Sequence, residues 1–311
     1  MSLASATDEL RAGAAEVARR ARSVQIVQDA VAPYARGLQP RAPAIGSDDD
    51  PTPLTWTRAQ RAAYWLSLDA INFGSGWFPT LRKDAGRSGY GTISAAWRTH
   101  CERSGPPSAA ELIAIDAAAI ASVLNQDPQH ELMVLFALSL NDLGTRLRAE
   151  CDGDVLVLVD GARHSAVALA ARLGGWPCFA DRSRYQEISL PFLKRAQIVA
   201  ADLERSEVVA WDDIDRLTMF ADNLVAHVLR LDGLLSFDPA LEERIECGEL
   251  IEHGSPEEVE IRACSVHAVE LMVAARADGT TAAALDQLLW HRGQGPSYKA
   301  RPRHRSRCTA Y

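Results

Sequence analysis

Apolar residues recur at helical spacing along most of the 311-residue chain, with polar residues between them. This spacing places the apolar side chains on one stripe of a helix, which can then be buried. The segments with this pattern are approximately 8–37, 57–71, 108–124, 129–150, 186–203, 212–231, 255–275 and 281–291. Pro33 breaks the first of them, because proline lacks the N–H group of a helix interior. The pattern predicts a mainly α-helical, compact fold with little β structure.

Three of these segments begin with a serine or threonine that is followed three residues later by glutamine or glutamate. In such a capping box, the two side chains satisfy backbone N–H groups that the helix leaves unpaired. The pairs are Thr57 and Gln60, Ser108 and Glu111, and Ser255 and Glu258. Pro256 also suits the first position of the third helix.

Three stretches depart from the helical pattern. Residues 38–55 are rich in proline and aspartate and predict a loop, in which the acidic run 48–50 is interpreted as a solvated turn. Residues 74–91 contain five glycines and Pro79 and predict an irregular loop. The run VLVLV at 155–159 predicts a short buried strand, although a buried helical turn would show the same run.

Charge and hydropathy narrow the class of protein. The formal net charge is −8, whereas proteins that bind nucleic-acid duplexes carry a basic stripe that displaces counterions. We therefore expect a small-molecule substrate and no nucleic-acid partner. No apolar run reaches the roughly 18 residues that span a bilayer, and the N-terminus lacks the zones of a signal peptide. We expect a cytoplasmic protein without a membrane partner.

Motifs for metals and cofactors are missing from the sequence. The six cysteines are scattered without CxxC spacing, which indicates reduced, mostly buried thiols and no zinc site. No phosphate-binding P-loop or dinucleotide-binding glycine motif follows a strand. We therefore predict neither a metal nor another cofactor. Without internal repeats, 1–311 is predicted to be one domain, with an N-terminal helix and loop (1–56) and a helical core (57–311).

Carboxylates and cations interrupt several apolar segments. Asp222 lies next to Phe220 at the edge of the apolar stripe of 212–231. Such a half-buried carboxylate can face positive charge developing in a pocket, or it can pair with a neighbouring base on the surface. Lys194 with Arg195, and Arg262, lie in apolar helical segments. There each cation needs either a structural carboxylate or a ligand phosphate as its partner.

Two further groups of residues are candidates for a pocket wall. Asn72, Phe73 and Trp77 lie where a predicted helix ends in the glycine-rich loop, although the aromatic residues could equally belong to the core. Asp286 and Trp290 share one helix face at i, i+4 spacing.

Several segments, taken together and in this order, resemble the queuosine salvage protein family: INFGSGW, FLKRAQIVAADL, IDRLTMFADNLVAHVL, EVEIRACSVHAVELM, LLW and HRSRCTAY. The resemblance extends from about residue 60 to Tyr311. It implies a fold similar to that of helix-rich DNA glycosylases. It also implies hydrolysis of the N-glycosidic bond of queuosine 5′-monophosphate, with release of the base queuine.

The resemblance also implies roles for individual residues. Asp222 matches the catalytic carboxylate, and Phe220 matches a surface on which the base stacks. In some family members acidic or aromatic residues follow the Leu-Trp pair, but His291 follows it here. Asp286 is therefore the expected substitute and a partner for the cationic side arm of queuine. The remaining expected substrate contacts are Asn72, Phe73, Trp77 and Trp290, with Lys194, Arg195, Arg262 and His304 as candidates for the 5′-phosphate.

Three other functions remain open at the level of the sequence. A DNA-repair glycosylase would share the fold, but the net charge of −8 opposes it. A queuine carrier without catalytic activity would share the pocket. A nucleosidase for ordinary purine nucleotides would share the chemistry. The sequence does not predict the oligomeric state.

Overall fold

The computed structural model describes residues 5–39 and 55–311. The α-helices of these residues are α1 (Ala6–Arg20), α2 (Gln28–Gly37), α3 (Arg58–Ala70), α4 (Gly89–Ser104), α5 (Ala109–Ala114), α6 (Ala117–Leu124), α7 (Glu131–Cys151), α8 (Val155–Gly161), α9 (Ala166–Leu173), α10 (Lys194–Arg205), α11 (Asn223–Leu231), α12 (Pro239–Glu246), α13 (Pro256–Arg276), α14 (Ala282–Gly293) and α15 (Pro296–Lys299). The prediction of a mainly α-helical fold is confirmed. Its similarity to DNA glycosylases stays a prediction.

Four three-residue strands form two antiparallel pairs within the described residues. The strands are β1 (Val24–Ile26), β2 (Ser183–Tyr185), β3 (Ile188–Leu190) and β4 (Leu235–Phe237). β1 pairs with β4, with Val24 opposite Phe237, and β2 pairs with β3 in a hairpin. Single 3₁₀ turns lie at Phe78–Thr80, Pro177–Phe179 and Ile214–Arg216. No helix of the described residues combines the length and the apolar character that a membrane span requires.

Buried apolar side chains form two large clusters. The first lies mainly among α3 to α10, and the second mainly among α1, α2, α11, α13 and α14. The two clusters meet in the segment before α11, where Phe220 belongs to the first and Ala221 to the second. This junction brings the segment after α3, one face of α10, the start of α11 and one face of α14 together around a cavity.

The three predicted helix starts are observed, with one difference in the hydrogen bonds of the cap. Complete capping boxes begin α3 and α5. At the start of α13, the Ser255 hydroxyl accepts from the Glu258 N–H group, at 3.3 Å. The Glu258 carboxylate, however, accepts from the Gly254 N–H group at 3.0 Å instead of returning to Ser255. The prediction that this glutamate closes a box was therefore wrong.

The break that was predicted at Pro33 in the N-terminal helical segment 8–37 was also wrong. Strand β1 separates α1 from α2, and Pro33 lies inside α2. The break occurs where the buried Glu260 carboxylate accepts from the N–H groups of residues 22, 23 and 24, at 2.6–3.1 Å. A partner 236 or more positions away in the sequence fixes the break, so local periodicity does not reveal it.

The predicted strand at 155–159 is instead helix α8. Asp154 caps this helix by accepting from the Leu156 N–H group at 2.8 Å. Val155, Leu158 and Val159 are buried, whereas Val157 is 48% exposed. Burial at positions i, i+3 and i+4 is the helical alternative that the apolar run left open.

Other predicted boundaries shift as well. Helix α4 begins inside the predicted 74–91 loop, and 108–124 divides into α5 and α6. The turn and the second strand of the β2–β3 hairpin occupy the start of 186–203, and α11 begins only at Asn223. The segment before α11 is held instead by the buried Gln197, whose Oε1 accepts from the Thr218 N–H group at 2.9 Å. Most of the 38–55 loop, including its acidic run, lies outside the described residues.

Candidate active site

A cavity of about 840 Å³ opens at the junction of the two clusters. This volume lies within the range of pockets that hold small ligands. Seven of the residues that the sequence singled out line it: Asn72, Phe73, Lys194, Phe220, Asp222, Asp286 and Trp290. They come from α3, α10, α11, α14 and the segments next to them, so the fold gathers residues up to 218 positions apart in the sequence.

Trp77 and Arg195 lie outside the lining of this cavity. The Trp77 indole Nε1 donates to the Glu131 carboxylate at 2.8 Å. The Arg195 guanidinium is buried beneath the cavity wall, where Nη1 donates to the Ala70 carbonyl oxygen at 2.6 Å. Arg195 also lies over the ring of Phe73, 4.9 Å from its centroid, so its contact supports a lining residue.

Arg262 and His304 also lie outside the cavity lining. Arg262 is fully buried and donates through Nη1 and Nη2 to both carboxylate oxygens of Asp181, at 2.9 and 2.7 Å. This bidentate pair is the structural carboxylate partner that an apolar helix requires. His304 is 2% exposed, and burial lowers the pKa of its imidazole to about 3. A neutral imidazole is not a cation for a phosphate.

Asp222 is the N-cap of α11 and does not lie within a helix, contrary to its predicted position on a helical stripe. Its Oδ1 accepts from the N–H groups of Leu224 and Val225, at 2.8 and 3.0 Å. These two donors fix the orientation of the carboxylate. Oδ2 accepts no hydrogen bond from any residue that the structure describes. The half-buried side chain therefore presents one oxygen to the cavity.

Lys194 begins α10, directly after Leu193, whose backbone is left-handed with φ of 49°. Its buried ammonium donates to the carbonyl oxygen and to the side-chain Oδ1 of Asn72, at 3.1 and 3.2 Å. Burial lowers the pKa of the Lys194 ammonium, and the nearby Asp222 carboxylate opposes that decrease. Asn72 thus holds a cation close to the Asp222 carboxylate.

Asp286 lies on the cavity-facing side of α14 and is 5% exposed. Its Oδ1 accepts from the Phe220 N–H group at 2.9 Å. Burial, and then the neighbouring Asp222 carboxylate, raises the pKa of Asp286 well above its usual range. The site therefore pairs one carboxylate at a helix N-terminus with a second whose pKa is raised, an arrangement that can separate acid and base roles.

The C-terminal segment contributes residues that the sequence analysis missed. Arg303 and the terminal Tyr311 line the cavity, and the Gly74 N–H group donates to the Tyr311 carbonyl oxygen at 3.1 Å. Burial lowers the pKa of the half-buried Arg303 guanidinium, and Asp222 opposes that decrease. No described residue forms a hydrogen bond or an ion pair with Arg303. The sequence shows that this segment is basic, but only the fold shows that it lies at the cavity.

The sequence of this chain is similar to that of a known protein family. A family model described as "Queuosine salvage protein" matches residues 54–311. The chain belongs to the queuosine salvage protein family. All residues that line the cavity fall within the matched range.

Relatives in this family carry a common description. A protein from Sphaerobacter thermophilus named "Queuosine 5′-phosphate N-glycosylase/hydrolase" is 33% identical over 315 residues, which cover 95% of each chain. A protein of the same name from Bos taurus is 33% identical over 190 residues, 55% of this chain and 56% of its own. Another from Schizosaccharomyces pombe is 37% identical over 123 residues, 38% of this chain and 36% of its own.

Proposed function

We propose that this queuosine salvage protein hydrolyses the N-glycosidic bond of queuosine 5′-monophosphate and releases queuine, a 7-deazaguanine base, for reuse in tRNA modification. The names of its relatives support this substrate. The observation that carries the proposal is the Asp222 carboxylate, which two backbone donors fix in a cavity of nucleotide size.

Cleavage of the bond leaves positive charge on the ribose, as in glycoside hydrolysis. An oriented carboxylate stabilises this oxocarbenium-like state without having to reorganise. Asp222 fills this role, and its cavity-facing oxygen can also orient water or attack the anomeric carbon. Asn72 holds the Lys194 ammonium in the cavity, where it interacts electrostatically with the Asp222 carboxylate.

Departure of the base is favoured by a hydrogen-bond donor at its edge and by stacking contacts on its faces. A 7-deazapurine lacks the N7 atom that is commonly protonated in purines. The raised pKa of Asp286 favours its protonated form, which can donate a hydrogen bond to the heterocycle as it leaves. Phe220 and Trp290, which line the same cavity, offer surfaces on which the base can stack.

The 5′-phosphate requires cations at the cavity surface. Of the four cations that the sequence suggested, only Lys194 lines the cavity. Arg303 is a better candidate, because its guanidinium has no hydrogen-bond or ion-pair partner among the described residues and it lies near Asp222. Arg303 therefore replaces Arg195, Arg262 and His304 in our assignment of the phosphate site.

The cellular setting is part of the proposal. All six cysteines are free thiols, five of them buried and Cys247 exposed. Free thiols suit the reducing cytoplasm. The net charge of −8 favours a mononucleotide over a nucleic-acid duplex as substrate.

A product assay with three substrates tests the function. Queuosine 5′-monophosphate, queuosine nucleoside and guanosine monophosphate are incubated separately with the protein, and the free base is quantified. We expect the base to be released fastest from queuosine 5′-monophosphate. Equally fast cleavage of guanosine monophosphate would replace the proposal by a general nucleosidase. Tight queuine binding without release from any substrate would make the protein a carrier.

A further inference from the structure

A buried ion pair lies behind the wall of the cavity. Arg262 on α13 and Asp181 have side chains that are 0% and 1% exposed, and neither residue lines the cavity. Two hydrogen bonds, of 2.9 and 2.7 Å, join the guanidinium to both carboxylate oxygens of Asp181, and the Glu258 carboxylate lies 3.7 Å from Nη1. Such a bidentate contact fixes the planes of both groups relative to each other.

On one side, this pair holds the start of α10. Asp181 Oδ2 also accepts from the Lys194 backbone N–H group at 2.9 Å, and the Asp181 carbonyl oxygen accepts from the Leu193 N–H group at 3.1 Å. Leu193 has a φ of 49°, a conformation that a residue with a Cβ atom keeps only where its surroundings hold it. Asp181 therefore fixes the backbone from which the Lys194 side chain enters the cavity.

On the other side, the pair holds the backbone next to Asp222. Arg262 Nε donates to the Ala221 carbonyl oxygen at 2.9 Å, and Asp222 follows Ala221 directly as the N-cap of α11. The same guanidinium lies 4.7 Å from the ring centroid of Tyr311, which lines the cavity. One rigid group thus contacts both the carboxylate that holds Lys194 and the segment that carries Asp222.

We propose that Arg262 and Asp181 are positioning residues, which together set the placement of the Lys194 ammonium relative to the Asp222 carboxylate. This inference rests on the proposed function, in which the Asp222 carboxylate must face the anomeric carbon. A displacement of about 1 Å in such a group can lower a rate about a hundredfold. The buried pair therefore acts on the reaction through the residues that it holds, without contact with the substrate.

Two variants that keep both charges test this role, with kcat and KM for queuosine 5′-monophosphate measured well below each unfolding midpoint. In Arg262→Lys, one ammonium cannot reach both Asp181 oxygens and the Ala221 carbonyl oxygen. Asp181→Glu keeps the ion pair, which favours folding, but adds a methylene of about 1.5 Å. We expect each variant to lower kcat at least about tenfold with KM within about threefold, because other residues contact the phosphate and the base.

A control separates positioning from general stability. Glu260 also lies on α13, is 1% exposed and accepts from the N–H groups of residues 22, 23 and 24, but it does not line the cavity. Glu260→Gln should therefore lower the unfolding midpoint and leave kcat unchanged. The double variant Arg262→Lys/Asp181→Glu should be no slower than the slower single variant, because both changes act through the same contact.

Three results would overturn the positioning role. They are a normal kcat in both single variants, a loss of kcat in Glu260→Gln as large as theirs, or losses that multiply in the double variant. The first two would mean that the pair only stabilises the fold, and the third that the two residues act separately. If the wild-type protein released no queuine from queuosine 5′-monophosphate, the proposed function itself would have failed.

Discussion

At the scale of single residues, the site depends on a carboxylate with two separable properties. Asp222 caps α11 through Oδ1, and it carries the charge that the reaction needs. Asparagine is also a good N-cap residue. The substitution Asp222→Asn therefore removes the charge while the helix start remains satisfied.

We predict that Asp222→Asn lowers kcat at least about a hundredfold, the scale of losing one transition-state charge contact. Its unfolding midpoint should stay near that of the wild type. Asp116→Asn is the matched control, because Asp116 also caps a helix, at 2.7 Å to the Ala119 N–H group, but is exposed. Near-normal kcat in Asp222→Asn would remove Asp222 from the mechanism.

The raised pKa of Asp286 predicts a pH dependence. Because burial and Asp222 raise its pKa, the proton needed for donation persists to a higher pH than on a solvated aspartate and is lost as pH rises through that raised value. The kcat profile should therefore fall on its alkaline side. Asp286→Asn keeps a donor at every pH, so its profile should lose this fall. An unchanged alkaline fall in the variant would assign it to another group.

Several residue-level expectations depended on contacts that only the fold provides. An isolated cation in an apolar helix predicts a partner but not which one. Arg262 meets the distant Asp181, whereas Lys194 meets Asn72 at the cavity. The family resemblance suggested Asp222, and the structure shows that it is an N-cap.

At the scale of elements, helices whose start signals are local could be predicted from the sequence. The capping boxes of α3 and α5 are examples. Elements fixed by distant partners could not be predicted. The segment before α11 has helical periodicity, but Gln197 binds its backbone in extended form. In the same way, Glu260 ends α1 from another helix.

The position of the C-terminal segment depends on the close approach of its backbone at Ser306 to the backbone at Gly76. A Cβ atom at Gly76 would lie 2.4 Å from the backbone oxygen of Ser306. We predict that Gly76→Ala destabilises the fold by about 1–3 kcal/mol and raises KM, because the segment carrying Arg303 must shift. Gly37→Ala is the control, since nothing lies within 4 Å of its added Cβ. Denaturant unfolding would show whether the two variants differ, and equal stability would contradict this account.

At the scale of the whole molecule, the protein is acidic, but part of its basic C-terminal segment lies at the cavity. Arg303 and Arg305 line it, although the net charge is −8. Such local positive charge can attract an anionic substrate to one face of an acidic protein. The site also lies where the two apolar clusters meet, so neither cluster alone forms it.

We predict that Arg303→Gln raises KM for queuosine 5′-monophosphate at least about tenfold, since a charge-assisted phosphate contact is lost. The KM for queuosine nucleoside should change little. Arg307→Gln, on the same segment but outside the cavity lining, is the matched control. An equal loss of affinity for both substrates would mean that Arg303 does not bind the phosphate.

The most direct test of the central claim is product analysis under multiple turnover. Queuosine 5′-monophosphate in large excess is incubated with wild-type protein and with Asp222→Asn, and queuine and the sugar product are quantified by mass spectrometry. Hydrolysis predicts queuine and ribose 5-phosphate in equal amounts, far above the concentration of wild-type protein and at least about a hundredfold slower with Asp222→Asn. Queuine that never exceeds the protein concentration, or a different sugar product such as ribose 1,5-bisphosphate, would contradict the account.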